Sequence, residues 1–194
     1  MPTRIAENPA TALDAWFAPL VADPAGAVSF LAEVADRVAR RPRVLVLGGG
    51  PVADALAGEG YAVTAAHLDR GLLTGLRFDV VFAGPEELSR LLVQRDQVRL
   101  VRRMAGLLRP GGALVVQSHH PDPVGWASDA LVADHDSTRQ TLLLAGAGFG
   151  LRYVWPAELD LMAELADLAP DSRWGGWYGE PVASGGPVVS VFRS

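Results

Sequence analysis

The loop Ser118-His119-His120-Pro121-Asp122 carries the densest set of groups able to move a proton. An imidazole beside a carboxylate works as a general acid or base near neutral pH, and SHHPD supplies both directly after the apolar run ALVVQ. His119, His120 and Asp122 are therefore candidate catalytic residues and Ser118 a candidate substrate contact; the alternative is a solvated polar loop, since loops favour these residue types. Glu86, in the stretch Gly84 to Glu87 that follows FDVVFA, is a second candidate contact. Trp155, Trp174, Trp177 and Tyr178 crowd the tail, where aromatics either line an apolar substrate pocket or simply cover a sheet; Trp155, Trp177 and Tyr178 are kept as pocket candidates. Glu158 and Asp160 follow WPA, where carboxylates serve either as helix-start charges or as pocket contacts; both are kept as candidates, Glu158 as a substrate contact. His119, His120, His135 and Asp136 lack the spacing of any compact ligand motif, so no metal site is expected.

These residues need strands and helices to bring them together. In RVLVLGGGPVADALA, Val44 to Leu47 is a continuous apolar run, as expected for a strand buried on both faces of a parallel sheet. The glycines Gly48, Gly49 and Gly50 then lead into a short helix from about Ala53 to Ala57, and Tyr61 to Ala66 reads as a second strand. Before the first strand, Val28, Leu31, Ala35 and Val38 recur at helical spacing and Pro42 closes the segment. Phe78 to Ala83 is a third strand, Asp96 to Leu108 a helix, and RPGG turns the chain into Ala113 to Gln117. Alternating strands and helices with short connections predict a doubly wound, mostly parallel α/β sheet. WPAELDLMAELADLA reads as a helix and GGPVVSVFRS as a terminal strand, giving an antiparallel strand pair at the sheet edge. In such sheets the ligand crevice lies beyond the carboxyl ends of the strands, which is where the glutamates after FDVVFA and the SHHPD loop fall.

Composition narrows the chemistry. With 194 residues, 49% of them hydrophobic, the chain reads as one domain with a core large enough to stand without staples, residues 1–24 forming an N-terminal extension. There is no Cys, hence no disulfide, thiolate metal site or thiol nucleophile. All 17 basic side chains are Arg, which removes Schiff-base chemistry on lysine. A net charge of −5 repels a phosphate backbone, so nucleic acid is not an expected partner. No apolar run approaches the roughly 20 residues that cross a bilayer, and MPTRIAENPATALDAWF lacks a signal-peptide pattern, so no membrane association and a cytoplasmic location are expected.

The ordered set LVLGGGPVA, VTAAHLD, FDVVFAGPEEL, QVRLVRRMAGLLRPGGALVVQ and RYVWPAELDLMAELA…RWGGWYGEPV…VSVFR resembles class I S-adenosylmethionine-dependent methyltransferases of the small-molecule type found in actinobacterial secondary metabolism. The resemblance covers roughly Ala25 to Ser194 and implies a Rossmann-like, mostly parallel sheet with an antiparallel C-terminal pair. Measured against that family, the cofactor positions depart from pattern. Val46 stands where the first strand carries an acidic residue, and Val52 where the last loop glycine lets the cofactor approach. Pro51 has no N–H, and Asp54 puts a negative charge in the first helical turn. His67 replaces the carboxylate that binds the ribose hydroxyls, with Asp69 two residues on. Only Leu68 to Arg77 separate the second strand from FDVVFA, so an edge strand and the loop contacting the adenine are shortened away.

These departures predict a degenerate member with a vestigial loop (Gly48, Gly49, Gly50, His67, Asp69) and no cofactor. The function then expected is that of a subunit in a heteromeric, S-adenosylmethionine-independent enzyme of natural-product biosynthesis, acting on a small molecule in a cyclisation or elimination such as aziridine-type ring closure. Its partner would be a larger, better preserved homologue. Two alternatives stay open: a cyclase active alone through the SHHPD loop, and an ordinary S-adenosylmethionine-dependent methyltransferase for a small acceptor.

Overall fold

The computed structural model describes residues 9–67, 75–146, 148 and 150–194. Two helices, α1 (Pro9–Val21) and α2 (Pro24–Val38), precede strand β1 (Arg43–Leu47). Helix α3 (Pro51–Gly58), strands β2 (Ala62–Ala66) and β3 (Phe78–Ala83), and helices α4 (Pro85–Ser89) and α5 (Gln94–Ala105) follow. Then come β4 (Leu108–His119), α6 (Pro123–Trp126), β5 (Val132–Asp136), β6 (Thr141–Leu144), β7 (Gly150–Arg152), α7 (Pro156–Glu164), β8 (Ala169–Trp174) and β9 (Pro187–Arg193). No single helix among the described residues is long and apolar enough to cross a membrane.

Six strands form one sheet in the order β2-β1-β3-β4-β9-β8. β1 pairs in parallel with both β2 and β3, β3 in parallel with β4, and β9 runs antiparallel between β4 and β8. The expected doubly wound sheet with an antiparallel C-terminal pair is therefore observed, and β2 is its edge, in keeping with the short connection to β3. The segment HLDRGLLTGLR, including Asp69, falls largely outside the described residues.

Period-two alternation explains the layers. Leu45, Leu47, Val81, Ala83, Leu114 and Val116 face one core with Val101, Met104, Leu159 and Met162 of α5 and α7. Val44, Val46, Val80, Phe82, Ala113 and Val115 face the other with Leu31, Val34, Ala53 and Leu56 of α2 and α3. Helix α2 starts where Asp23 accepts a 2.8 Å hydrogen bond from Gly26 N, with Pro24 in the first turn, a combination that caps a helix and fixes its first φ. At the amino end of the sheet, buried Asp79 pairs with Arg109 at 2.9 Å and accepts from Arg43 N at 2.8 Å, joining β1, β3 and β4.

Two features depart from the pattern read in sequence. The RPGG segment does not end before a strand: β4 begins at Leu108, opposite Phe78, and bulges before resuming at Ala113 opposite Val80. The stretch from Val132 to Arg152 forms a separate three-stranded antiparallel sheet, β5-β6-β7. Its buried Leu142, Leu144, Leu151 and Tyr153 pack with Trp126 against Ala12, Leu13, Trp16, Phe17 and Leu20 of α1. Helix α1 is thus core material for this second layer.

Candidate active site

The strand order reverses between β1 and β3, and a cavity of about 670 Å³ opens there, at the carboxyl ends of the strands. Leu47, Gly48 and Gly49 come from the end of β1, His67 from the end of β2, Phe82 and Gly84 to Glu87 from β3 and its loop, and Gln117 from β4. Leu20, Val21, Asp23 and Pro24, at the α1–α2 junction, roof it, and Trp177 from the β8–β9 loop closes a side. The volume lies within the range of small-molecule and cofactor sites.

Gly48, Gly49 and Gly50 have φ of +76°, +74° and +85°, a run that side-chain-bearing residues rarely adopt. The turn holds the chain bare along the cavity wall, tied by a 3.2 Å bond from Gly48 N to Ala66 O. Pro51 occupies the first turn of α3, where a proline N–H would have had no intrahelical acceptor in any case. The amides of Val52 and Ala53 are those that a helix start leaves open to a ligand. Val52 is partly buried against the cluster that contains Leu31, Ala53 and Leu56, and it also lines the cavity. Val46 is 1% exposed in the apolar core and does not line the cavity. Asp54 is exposed and away from the lining. His67 stands at the cavity edge.

Glu86 lines the cavity and is bonded to Arg90, which lines it too. Glu87 reaches the glycine turn: a Cβ added to Gly48 would meet its Oε1 at 2.9 Å. Trp177 is fixed by tilted and edge contacts to Phe30 and Phe82, with centroids 5.6 and 6.0 Å away. Tyr178 is exposed, and its hydroxyl hydrogen-bonds Asp23, which raises the phenol pKa. Asp23, Gln117 and the α1–α2 junction were not singled out in the sequence. Asp23-Pro24 did carry a legible helix-start signal, but nothing local points that start at a cavity.

The SHHPD loop lies elsewhere. His119 packs between Trp16 and Trp126, with centroids 5.4 and 6.3 Å away, beside a recess of about 30 Å³ that Ser118 also lines. Its Nδ1 is buried without a hydrogen-bond partner among the described residues, and burial pushes its pKa below the ordinary value, which favours the neutral ring. His120 Nδ1 lies 2.9 Å from Pro121 O, and its ring meets Trp155 edge-on. Asp122 caps α6 by accepting from Gly125 N at 3.1 Å. Trp155 precedes α7, and Glu158 is held by Arg152 at 2.7 Å, by Gln94 at 2.6 Å and by Gln140 at 2.9 Å. Of the residues anticipated from sequence, the cavity gathers Glu86, Trp177, Gly48, Gly49 and His67; Ser118 and His119 line the small recess instead, and His120, Asp122, Trp155 and Glu158 line neither. Among the described residues no three His, Asp or Glu side chains converge as a metal-ligand set.

The sheet order, the reversed β9 and the glycine turn at the switch point define the class I methyltransferase fold. The methyltransferase CcbJ of Streptomyces caelestis is 29% identical, with 89% of each chain covered and a TM-score of 0.72. The 1,6-didemethyltoxoflavin-N1-methyltransferase of Burkholderia thailandensis, solved with 1,6-didemethyltoxoflavin and S-adenosylhomocysteine bound, is 18% identical over 95% of this chain and 88% of that one, with a TM-score of 0.61. CalS10, an amino pentose methyltransferase of calicheamicin biosynthesis from Micromonospora echinaspora solved with S-adenosylmethionine bound, is 19% identical over 84% and 89%, with a TM-score of 0.50. No protein-family model and no curated protein sequence matches the chain.

The expectation of a chain without cofactor is corrected by these findings. Neighbours of this fold are S-adenosylmethionine-dependent methyltransferases, some with the cofactor or its product bound. The physical reason is position. Pro51 sits where a helix loses nothing to proline, Val46 and Asp54 lie off the cavity, and Val52 leaves it open.

Proposed function

We propose that the chain is an S-adenosylmethionine-dependent methyltransferase for a small organic acceptor of specialised metabolism. The observation that carries this reading is the run of three left-handed glycines, two of which, Gly48 and Gly49, line the 670 Å³ switch-point cavity. The 29% identity to a Streptomyces methyltransferase over 89% of both chains supports it.

The residues fit the cofactor. Gly48 and Gly49 allow close approach of a ligand to the backbone, and the amides at the start of α3 suit a carboxylate. His67, at the end of β2, offers a ring nitrogen to a ribose hydroxyl. Leu47, Phe82, Leu91 and Trp177 supply apolar walls, while Asp23, Glu86 and Glu87 outnumber Arg90 and favour a positively charged ligand. When bound, S-adenosylmethionine supplies a methyl group on a sulfonium. The chain's own part is to orient the acceptor against Trp177 and Phe82 and to exclude water beneath the α1–α2 junction.

Isothermal titration of the purified chain with S-adenosylmethionine and with S-adenosylhomocysteine tests this. Saturable binding of both in the micromolar range is expected; no heat of binding at millimolar ligand refutes the reading.

A further inference from the structure

The acidic position that the family places in the first strand is Val46 here, sealed in the core. A methionyl end carries both a carboxylate and an ammonium group, and the start of α3 answers only the first. The cavity holds three carboxylates. Glu87 is the one that lies on the glycine turn, its Oε1 2.9 Å from where a Gly48 Cβ would stand. It arrives from another element, in the turn of α4 that follows β3, and reaches the same cavity wall.

We propose that Glu87 is the acceptor for the α-ammonium group of the methionyl moiety, taking over from the loop side the charge that the first strand lacks. This rests on the cofactor reading above. The absence of a Cβ at Gly48 has a purpose beyond the turn itself, because it leaves room for the Glu87 carboxylate against the backbone. Position 87 thereby becomes a determinant of cofactor selectivity: it recognises ligands that carry the amino-acid end and ignores those that lack it.

Three probes separate the contributions. S-adenosylmethionine has ammonium and sulfonium charges, S-adenosylhomocysteine has the ammonium alone, and 5′-deoxy-5′-methylthioadenosine has neither. Each is titrated calorimetrically into the wild-type chain and Glu87→Gln. Loss of a charge-assisted hydrogen bond should weaken the first two about 10- to 100-fold. Methylthioadenosine should bind both proteins within about twofold, which also reports that the variant is folded. Glu87→Asp, which keeps the charge but withdraws it by one methylene, should recover part of the loss. The proposal is overturned if all three ligands weaken together, if none does, or if S-adenosylmethionine alone weakens, which would assign Glu87 to the sulfonium. Wild-type protein that binds methylthioadenosine but neither amino-acid-bearing ligand would also overturn it. A wild-type chain that binds none of the three overturns the cofactor reading itself, and this proposal with it.

Discussion

Glu158 offers the sharpest test of which groups serve the fold and which serve the ligand. Its partner Arg152 is buried, 4% exposed, and Glu158 itself is 14% exposed, so rupture of the pair leaves a cation in a poorly solvated place. Breaking such a pair by removing one partner costs about 3–5 kcal/mol. Arg152 keeps its bonds to Gln97 and to Gln140, the latter at 2.7 Å, which puts Glu158→Ala at the lower end, about 3 kcal/mol. With a urea m-value of about 2 kcal/mol per molar, the midpoint should fall by roughly 1.5 M. Glu158→Gln keeps the shape and should lose about half as much. Adding Arg152→Met to Glu158→Ala removes the stranded charge and should recover part of the loss. Equilibrium urea unfolding followed by circular dichroism gives the midpoints, and titration with S-adenosylmethionine gives the affinity of each variant, expected within about twofold of wild type. An unchanged midpoint with a collapsed affinity would refute the reasoning and return Glu158 to the ligand.

Two further outcomes follow from the geometry. In Gly49→Ala the new methyl has room, 3.4 Å from Ala65 Cβ, but φ of +74° does not suit it, so the variant should lose about 1–2 kcal/mol in thermal or urea unfolding and bind S-adenosylmethionine more weakly. His119 has its folded pKa pushed below the ordinary 6.5 by burial first and by the neighbouring His120 second, while Asp122 pulls it back. The unfolded chain then binds the extra proton first as acid is added, so stability should be full above about pH 7 and decline from 6.5 down to the lower folded value. His119→Leu should flatten that limb of a stability–pH profile; an equally steep limb would assign the acid sensitivity to other groups.

The sheet could be read from the sequence because Val44–Leu47 and Val80–Ala83 are short continuous apolar runs, buried on both faces and bounded by turn residues, in regular alternation with helical segments. The layer formed by β5, β6 and β7 could not, since VADHD, TLLL and GLR are short and are stabilised by Trp16 and its neighbours on α1, far away in the chain. The same distance hid the surroundings of His119, whose loop looks solvated until α1 covers it. The glycine turn is visible as a motif, but a residue-by-residue comparison with a family pattern does not show that Pro51 falls in a helix's first turn or that Val46 faces the core. Glu87 was in view within Gly84 to Glu87, and only the fold brings it against Gly48.

Strand β3 separates two jobs along its own length. At its amino end Asp79 clasps Arg109 and the β1 backbone; past its carboxyl end Gly84 to Glu87 enter the cavity. The clasp and the ligand loop lie at opposite ends of the strand. Substitution after Ala83 alters the cavity lining while the Asp79 clasp keeps β1, β3 and β4 joined, so the lining can change without first acquiring spare stability.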